Sequence, residues 1–302
     1  MIAKEKLNIL WSLEQTAEKY ADRVAVSDVN QELTWKELVK KAQVIGAELS
    51  EKVQPGNPVP VLLEKSSETL AVMLGIVYAG CFYVPVNPMN PTERLRKIME
   101  KLDPEVIISD EKGKEQLAAV GNGLENKVMG PEALTTATGT ELSEEQYSRL
   151  EQIQGQWKET DVLYGIFTSG STGTPKAIVV SHGAASRFIR HFTEIFEITS
   201  ADVIGNQAPF DFDVSVKDIY SSIMTGAQLV LIPKEYFSTP PRLLDYLCDK
   251  KVTNLTWAVF GINTCVCVER IELQSAGISK KGYVQRRSNA AKTAAYLAGK
   301  TA

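Results

Sequence analysis

The first hundred residues alternate two periodicities. Thr34-Trp35-Lys36-Glu37 places a threonine and a glutamate at the spacing of a capping box, and Leu38, Ala42, Ile45 and Leu49 follow at helical intervals. Residues 58–63 (PVPVLL) read as a short strand entered through proline. An apolar helix over 67–79 then leads into a second strand over 82–86. Pro91 opens another helix with Leu95, Ile98, Met99 and Leu102 on one face, and residues 105–109 (EVIIS) form the next strand. Such alternation predicts an α/β protein with helices packed on largely parallel sheets.

Over residues 121–160 the pattern lapses. Gly, Thr and acidic residues dominate there, which predicts a surface linker with one short exposed helix. The pattern resumes at Val162, with a helix expected over 214–225, its face marked by Val216, Ile219 and Ile223, and strands over 228–232 and 254–260. Residues 262–302 hold seven Lys and Arg against two acidic residues, and the last fifteen are small and polar with no periodic core face. The expected organisation is a core over 1–260 and a basic, divergent, poorly structured tail over 261–302. With only Tyr283 and Tyr296 as aromatics, that tail is not expected to bind nucleic acid.

Composition narrows the class. At 302 residues, 44% hydrophobic and 23% charged, the chain is long enough to bury a core without staples. A net charge of −4 argues against bulk binding to nucleic acid or anionic membrane. Cys81, Cys248, Cys265 and Cys267 are sparse, and His182 and His191 are the only histidines, so no zinc-ligand spacing arises and no metal site is expected. Sparse cysteines and the lack of a signal-peptide pattern at the start predict a cytoplasmic protein. Residues 69–86 carry no charge and approach the length of a membrane span. Gly75, Gly80 and Pro85 interrupt them, which favours a buried helix feeding a buried strand.

The chemically informative stretch is residues 164–177, YGIFTSGSTGTPKA. A short apolar strand runs into Ser169–Lys176, where glycines let backbone N–H groups converge, hydroxyls add donors and a lysine supplies charge. That inventory suits a polyphosphate; a flexible surface turn has the same composition. Pro175 and Ala177 stand where a Walker loop needs Gly and Ser/Thr. The apolar run after Lys176 is strand-like, so the loop is expected to join two strands. Thr172 and Thr174 likewise exclude a G-x-S-x-G nucleophile elbow.

The string Thr168-Ser169-Gly170-Ser171-Thr172-Gly173-Thr174-Pro175-Lys176 resembles the phosphate-loop signature of the adenylate-forming enzymes, the superfamily of acyl-CoA synthetases, luciferases and amino-acid-activating adenylation domains. Three more segments are similar in order and spacing: LTWKEL over 33–38, AGCFYVPVNPMNPTERL over 79–95, and residues 206–233 with their Phe212-Asp213-Val214-Ser215 motif. The resemblance implies the N-terminal part of an adenylate-forming core. Within it, Thr168, Ser169, Gly170, Ser171, Thr172, Gly173 and Lys176 would hold the β- and γ-phosphates of ATP, with Lys176 catalytic and Mg²⁺ bridging phosphate oxygens. Asp213 would hold a substrate α-ammonium, a pairing that rejects plain fatty or aryl acids; as the residue before a helix, it is also a candidate N-cap, and the two roles are compatible. His182 stands either towards the nucleotide or as a buried structural histidine.

The surroundings of Asp213 most resemble D-alanine:carrier-protein ligases and peptide-synthetase adenylation domains. That implies attack of a small amino acid's carboxylate, D-alanine favoured, on the α-phosphate of ATP, then transfer to the phosphopantetheine thiol of a carrier protein. The family's later strings, for the adenine pocket, ribose, hinge and C-terminal lid, do not occur after Phe260, and Lys280 and Lys292 are weak substitutes for a lid lysine. The resemblance therefore predicts an incomplete core with no lid domain, from a truncated or frame-altered product of weak or no turnover. The alternatives are a non-catalytic remnant that binds nucleotide phosphates or a protein partner, and a fragment of an acyl- or aryl-acid CoA ligase.

Overall fold

The computed structural model describes residues 7–136, 141–168, 175–257 and 282–284. In chain order the elements are α1 (Ile9–Tyr20), β1 (Val24–Ser27), β2 (Glu32–Thr34), α2 (Trp35–Ser50), β3 (Pro58–Leu62), α3 (Ser67–Tyr78), β4 (Phe82–Pro85), α4 (Thr92–Leu102), β5 (Ile107–Ser109) and α5 (Glu111–Val120). There follow β6 (Val128–Met129), α6 (Pro131–Thr136), α7 (Glu144–Gly155), β7 (Val162–Thr168), β8 (Lys176–Ser181), α8 (His182–Ile195), β9 (Val203–Asn206), α9 (Val214–Thr225), β10 (Gln228–Leu231), α10 (Pro240–Asp249), β11 (Asn254–Trp257) and β12 (Gly282–Val284).

These strands form two six-stranded sheets. One has the order β6-β5-β3-β4-β7-β8, parallel except for the antiparallel pair β7–β8. The other has the order β12-β11-β9-β10-β1-β2, parallel except for β1–β2. Helices α1, α2, α3 and α9 supply much of the main core, in which Trp35, Tyr78 and Tyr220 are its largest fully buried side chains. This is the helix-on-parallel-sheet class that the alternating pattern predicts.

The local signals act as expected. Thr34 caps α2 while Glu37 reaches back to the Thr34 N–H at 2.8 Å, closing the capping box. In α3 every residue but Glu68 is buried, which explains its all-round apolar character. No helix among the described residues is long and apolar enough to cross a membrane. α2 and α3 cross at two glycines: a Cβ on Gly46 would lie 2.5 Å from Tyr78 Cβ, and one on Gly75 would lie 2.4 Å from Ile45 Cγ2.

Residues 121–160 hold more regular structure than their composition predicts. β6 pairs with β5, α6 follows, and α7 starts at a Ser143–Gln146 capping box and packs against α2 and α3. Buried Leu124, Leu134 and Leu150 are the anchors. Each element in this stretch buries so few side chains that no apolar period emerges.

Candidate functional site

β7 and β8 pair antiparallel with Thr168 opposite Lys176, so the two ends of the Ser/Gly/Thr loop face one another across a ladder. The Thr168 hydroxyl points at the Lys176 carbonyl, 3.5 Å away. A strand thus stands on either side of the segment, as the apolar run after Lys176 predicts. Thr168 and Lys176 are both exposed, whereas Ser169, Gly170, Ser171, Thr172 and Gly173 lie outside the described residues.

Asp213 stands at the start of α9, exposed. The capping reading fails on geometry: its backbone is helical (φ −58°, ψ −23°) and its side chain makes no capping hydrogen bond. A capping carboxylate needs extended backbone to fold over the first amides. Its charge instead adds to the upward shift of the Tyr164 phenol, which burial chiefly pushes to about 12. It also partly offsets the downward shift that burial imposes on the Lys217 ammonium one turn along α9, where Asp218 is the stronger counter-charge.

Three tyrosines bring these pieces together. Tyr164 of β7 stacks on Tyr83 of β4 at 5.9 Å and on Tyr220 of α9 at 6.4 Å between ring centroids, and the Tyr83 and Tyr220 hydroxyls hydrogen-bond to each other. The strand that ends at Thr168 is thereby packed against the helix that begins beside Asp213. Nothing in the periodicity marks these tyrosines as a cluster, because they come from three separate elements.

A second group went unmarked in the sequence. Lys65, after β3, places its ammonium 3.1 Å from the Asn206 carbonyl, 3.2 Å from Asn206 Oδ1 and 3.0 Å from the Gln207 carbonyl. Asn206 Nδ2 donates in turn to Asp218 Oδ2 on α9 at 2.9 Å. Burial lowers the Lys65 pKa to about 8 and raises that of Asp218 to about 7. The sequence signal is a charged residue inside an otherwise buried helical face.

His182 resolves to the structural reading. It is buried at the head of α8, and its Nδ1 accepts the Ile9 N–H at 3.3 Å, so that nitrogen is lost to any nucleotide. Burial depresses its pKa to about 4, with the Asp161 charge opposing.

A cleft of about 500 Å³ opens where the carboxyl ends of β1, β3, β4, β9 and β10 converge, between the two sheets, with Glu64, Lys65, Asn87, Asp211 and Glu235 in its wall. Thr168, Lys176 and Asp213 do not line it. It adjoins the candidate site through Asp211, whose carboxylate accepts from Asn87 Nδ2 at 3.3 Å and whose pKa is raised by desolvation. Among the described residues there is no group of three or more His, Cys, Asp and Glu that could cage a metal, so no residue is assigned to Mg²⁺.

The family model for AMP-binding enzymes matches residues 13–289. Tyrocidine synthase 1 of Brevibacillus parabrevis is 30% identical over 244 residues, which are 80% of this chain and 21% of that protein. A D-alanine–D-alanyl carrier protein ligase of Staphylococcus epidermidis is 29% identical over 265 residues, 87% of this chain and 50% of that one. The chain thus spans half or less of the length of these relatives. In fold it matches the solved N-terminal subdomain of Klebsiella oxytoca NpsA with a TM-score of 0.74 at 20% identity, over 92% of this chain and 67% of that one.

Proposed function

This chain belongs to the AMP-binding enzyme family, and on that premise we propose that it carries an ATP-dependent adenylation site for a small amino acid, with D-alanine favoured. A carboxylate oxygen of the amino acid attacks the α-phosphorus of ATP, the bond to the bridging oxygen breaks, and pyrophosphate leaves an aminoacyl-adenylate. Attack by a carrier-protein phosphopantetheine thiol on the acyl carbon then releases AMP, the thiol giving up its proton. Such chemistry rests on positioning and charge neutralisation. Thr168, Ser169, Gly170, Ser171, Thr172, Gly173 and Lys176 hold the β- and γ-phosphates, with Lys176 offsetting charge on the departing pyrophosphate. Asp213 holds the α-ammonium. Mg²⁺ would enter with ATP and would neutralise charge on its phosphates, and no described residue is assigned to it.

The observation that carries this reading is the Tyr83–Tyr164–Tyr220 packing, which sets the phosphate-loop strand against the helix headed by Asp213. Similarity to a relative named D-alanine–D-alanyl carrier protein ligase supports an amino acid as the substrate in place of a fatty acid. The test is amino-acid-dependent ATP–pyrophosphate exchange, with D-alanine run beside L-amino acids. The expected result is a D-alanine signal that disappears in Lys176→Ala. Folded protein that exchanges nothing with any amino acid would overturn the reading.

A further inference from the structure

We infer that Lys65, Asn206 and Asp218 form a positioning relay that fixes both ends of the segment 206–213 and so sets the place of Asp213. The consequence for catalysis rests on the proposed role of Asp213 towards an amino group; the clamp itself does not.

Lys65 follows β3 of one sheet, while the three oxygens around its ammonium belong to Asn206 and Gln207 at the end of β9 in the other sheet. It thereby ties the two sheets where residues 207–213 leave β9. Asn206 is fully buried and passes the connection on through Nδ2 to Asp218. Asp218 lies on α9, five residues past Asp213, so the far end of the segment is anchored to the residue from which it departs. A single asparagine thus closes residues 206–218 into a loop that contains Asp213. An apolar contact could hold β9 and α9 together, but it would not fix their register; directional hydrogen bonds among buried groups do.

The ammonium of Lys65 faces Asp218 and Glu235, Asp218 faces Lys65 and Lys217, and Lys217 also faces Asp213. A protonated Lys65 has three N–H donors for its three oxygens; the free amine has two. With its pKa lowered by burial to about 8, the clamp weakens in mild alkali.

The experiment compares the full chain with Lys65→Met and Asp218→Leu, reading deuterium uptake peptide by peptide and the concentration dependence of ATP–pyrophosphate exchange for D-alanine and ATP at pH 7 and pH 9. Uptake over 207–213 is expected to accelerate about tenfold in Lys65→Met while α2 and α3 stay protected, a change tied to local opening. The KM for D-alanine is expected to rise about tenfold with the KM for ATP and kcat nearly constant, the pattern of a lost binding contact. In the unsubstituted chain the D-alanine KM should rise from pH 7 to pH 9, and in Lys65→Met it should not. Should Lys65→Met fail to fold, Asp218→Leu, which removes the acceptor of the Asn206 Nδ2–H at similar size, carries the uptake measurement. Unchanged uptake over 207–213 in a folded variant, or equal rises in both KM values, overturns the relay. Loss of exchange activity in every protein would sink the adenylation reading alone, and the uptake result would then decide the relay.

Discussion

The hydroxyl of Tyr220 on α9 is hydrogen-bonded to that of Tyr83 on β4, with both rings buried, and Tyr164 of β7 stacks on each of them. A buried hydroxyl deprived of its partner keeps its desolvation cost, which is larger than the net worth of the bond. Tyr220→Phe is therefore expected to destabilise the protein by about 1–2 kcal/mol in urea unfolding. The double variant Tyr83→Phe/Tyr220→Phe should cost less than the two single changes added together, because it leaves no orphan. Full additivity would show that the hydroxyls are not coupled.

Two buried groups pull the pH dependence of stability in opposite directions. His182 has a folded pKa of about 4, below the ordinary 6.5, so its neutral form is the folded one. A proton on Nδ1 would set a donor against the Ile9 N–H. Its contribution is present above pH 6.5 and lost as pH falls towards 4, about 3 kcal/mol in all at 1.36 kcal/mol per unit. Asp218 has a folded pKa raised to about 7 from 3.8, so its contribution is present below pH 3.8 and lost as pH rises through 7. Relative to the unsubstituted protein, His182→Asn should lose stability as pH rises from 4 to 6.5, and Asp218→Asn should gain it. Parallel curves for all three proteins would contradict both assignments.

The α2–α3 crossing gives a steric prediction. Gly75→Ala puts a methyl 2.4 Å from Ile45 Cγ2, with the Ala42 carbonyl at 3.0 Å. Helix propensity favours alanine by about 1 kcal/mol, but overpacking a tight core contact typically costs about 1–3 kcal/mol. The branched Ile45 and the adjacent backbone leave little room to relax. Gly75→Ala should lower the unfolding midpoint, while Gly155→Ala, where an added Cβ meets nothing within 4 Å, should leave it unchanged or raise it. The reverse order would show that the helices part easily.

Much of the fold is legible along the chain because each element announces itself locally. The Thr34–Glu37 box, the apolar face Leu95–Ile98–Met99 and the helix Val214–Thr225 all depend on neighbours within one or two turns. The strands that end at Thr168 and begin at Lys176 were legible for the same reason, since the run after Lys176 is strand-like. What stayed hidden is what long-range packing creates. Lys65 and Asn206 are 141 residues apart, and Tyr83 and Tyr220 are 137 apart; no period links them. Small anchors were hidden too: Leu124 ahead of β6 and Leu150 in α7 are single buried leucines that a polar stretch disguises. Asp213 shows the opposite error, since a residue preceding a helix looks like a cap until its backbone torsions exclude it.

That exclusion makes Asp213 a clean probe. Exposed and without a capping bond, its carboxylate does little for the helix, so Asp213→Ala should change stability by no more than about 0.5 kcal/mol. If it holds an α-ammonium, the same change removes a charge-assisted contact of about 1.5–3 kcal/mol, and the D-alanine KM should rise roughly 10- to 100-fold with the ATP KM intact. Lys176→Ala should act on the other substrate, weakening ATP and slowing exchange with the D-alanine KM little altered. Thermal unfolding and two-substrate exchange kinetics on the two variants separate the roles. If Asp213→Ala impairs ATP and D-alanine alike, the carboxylate is not a dedicated ammonium anchor, and the preference for an amino acid loses its structural basis.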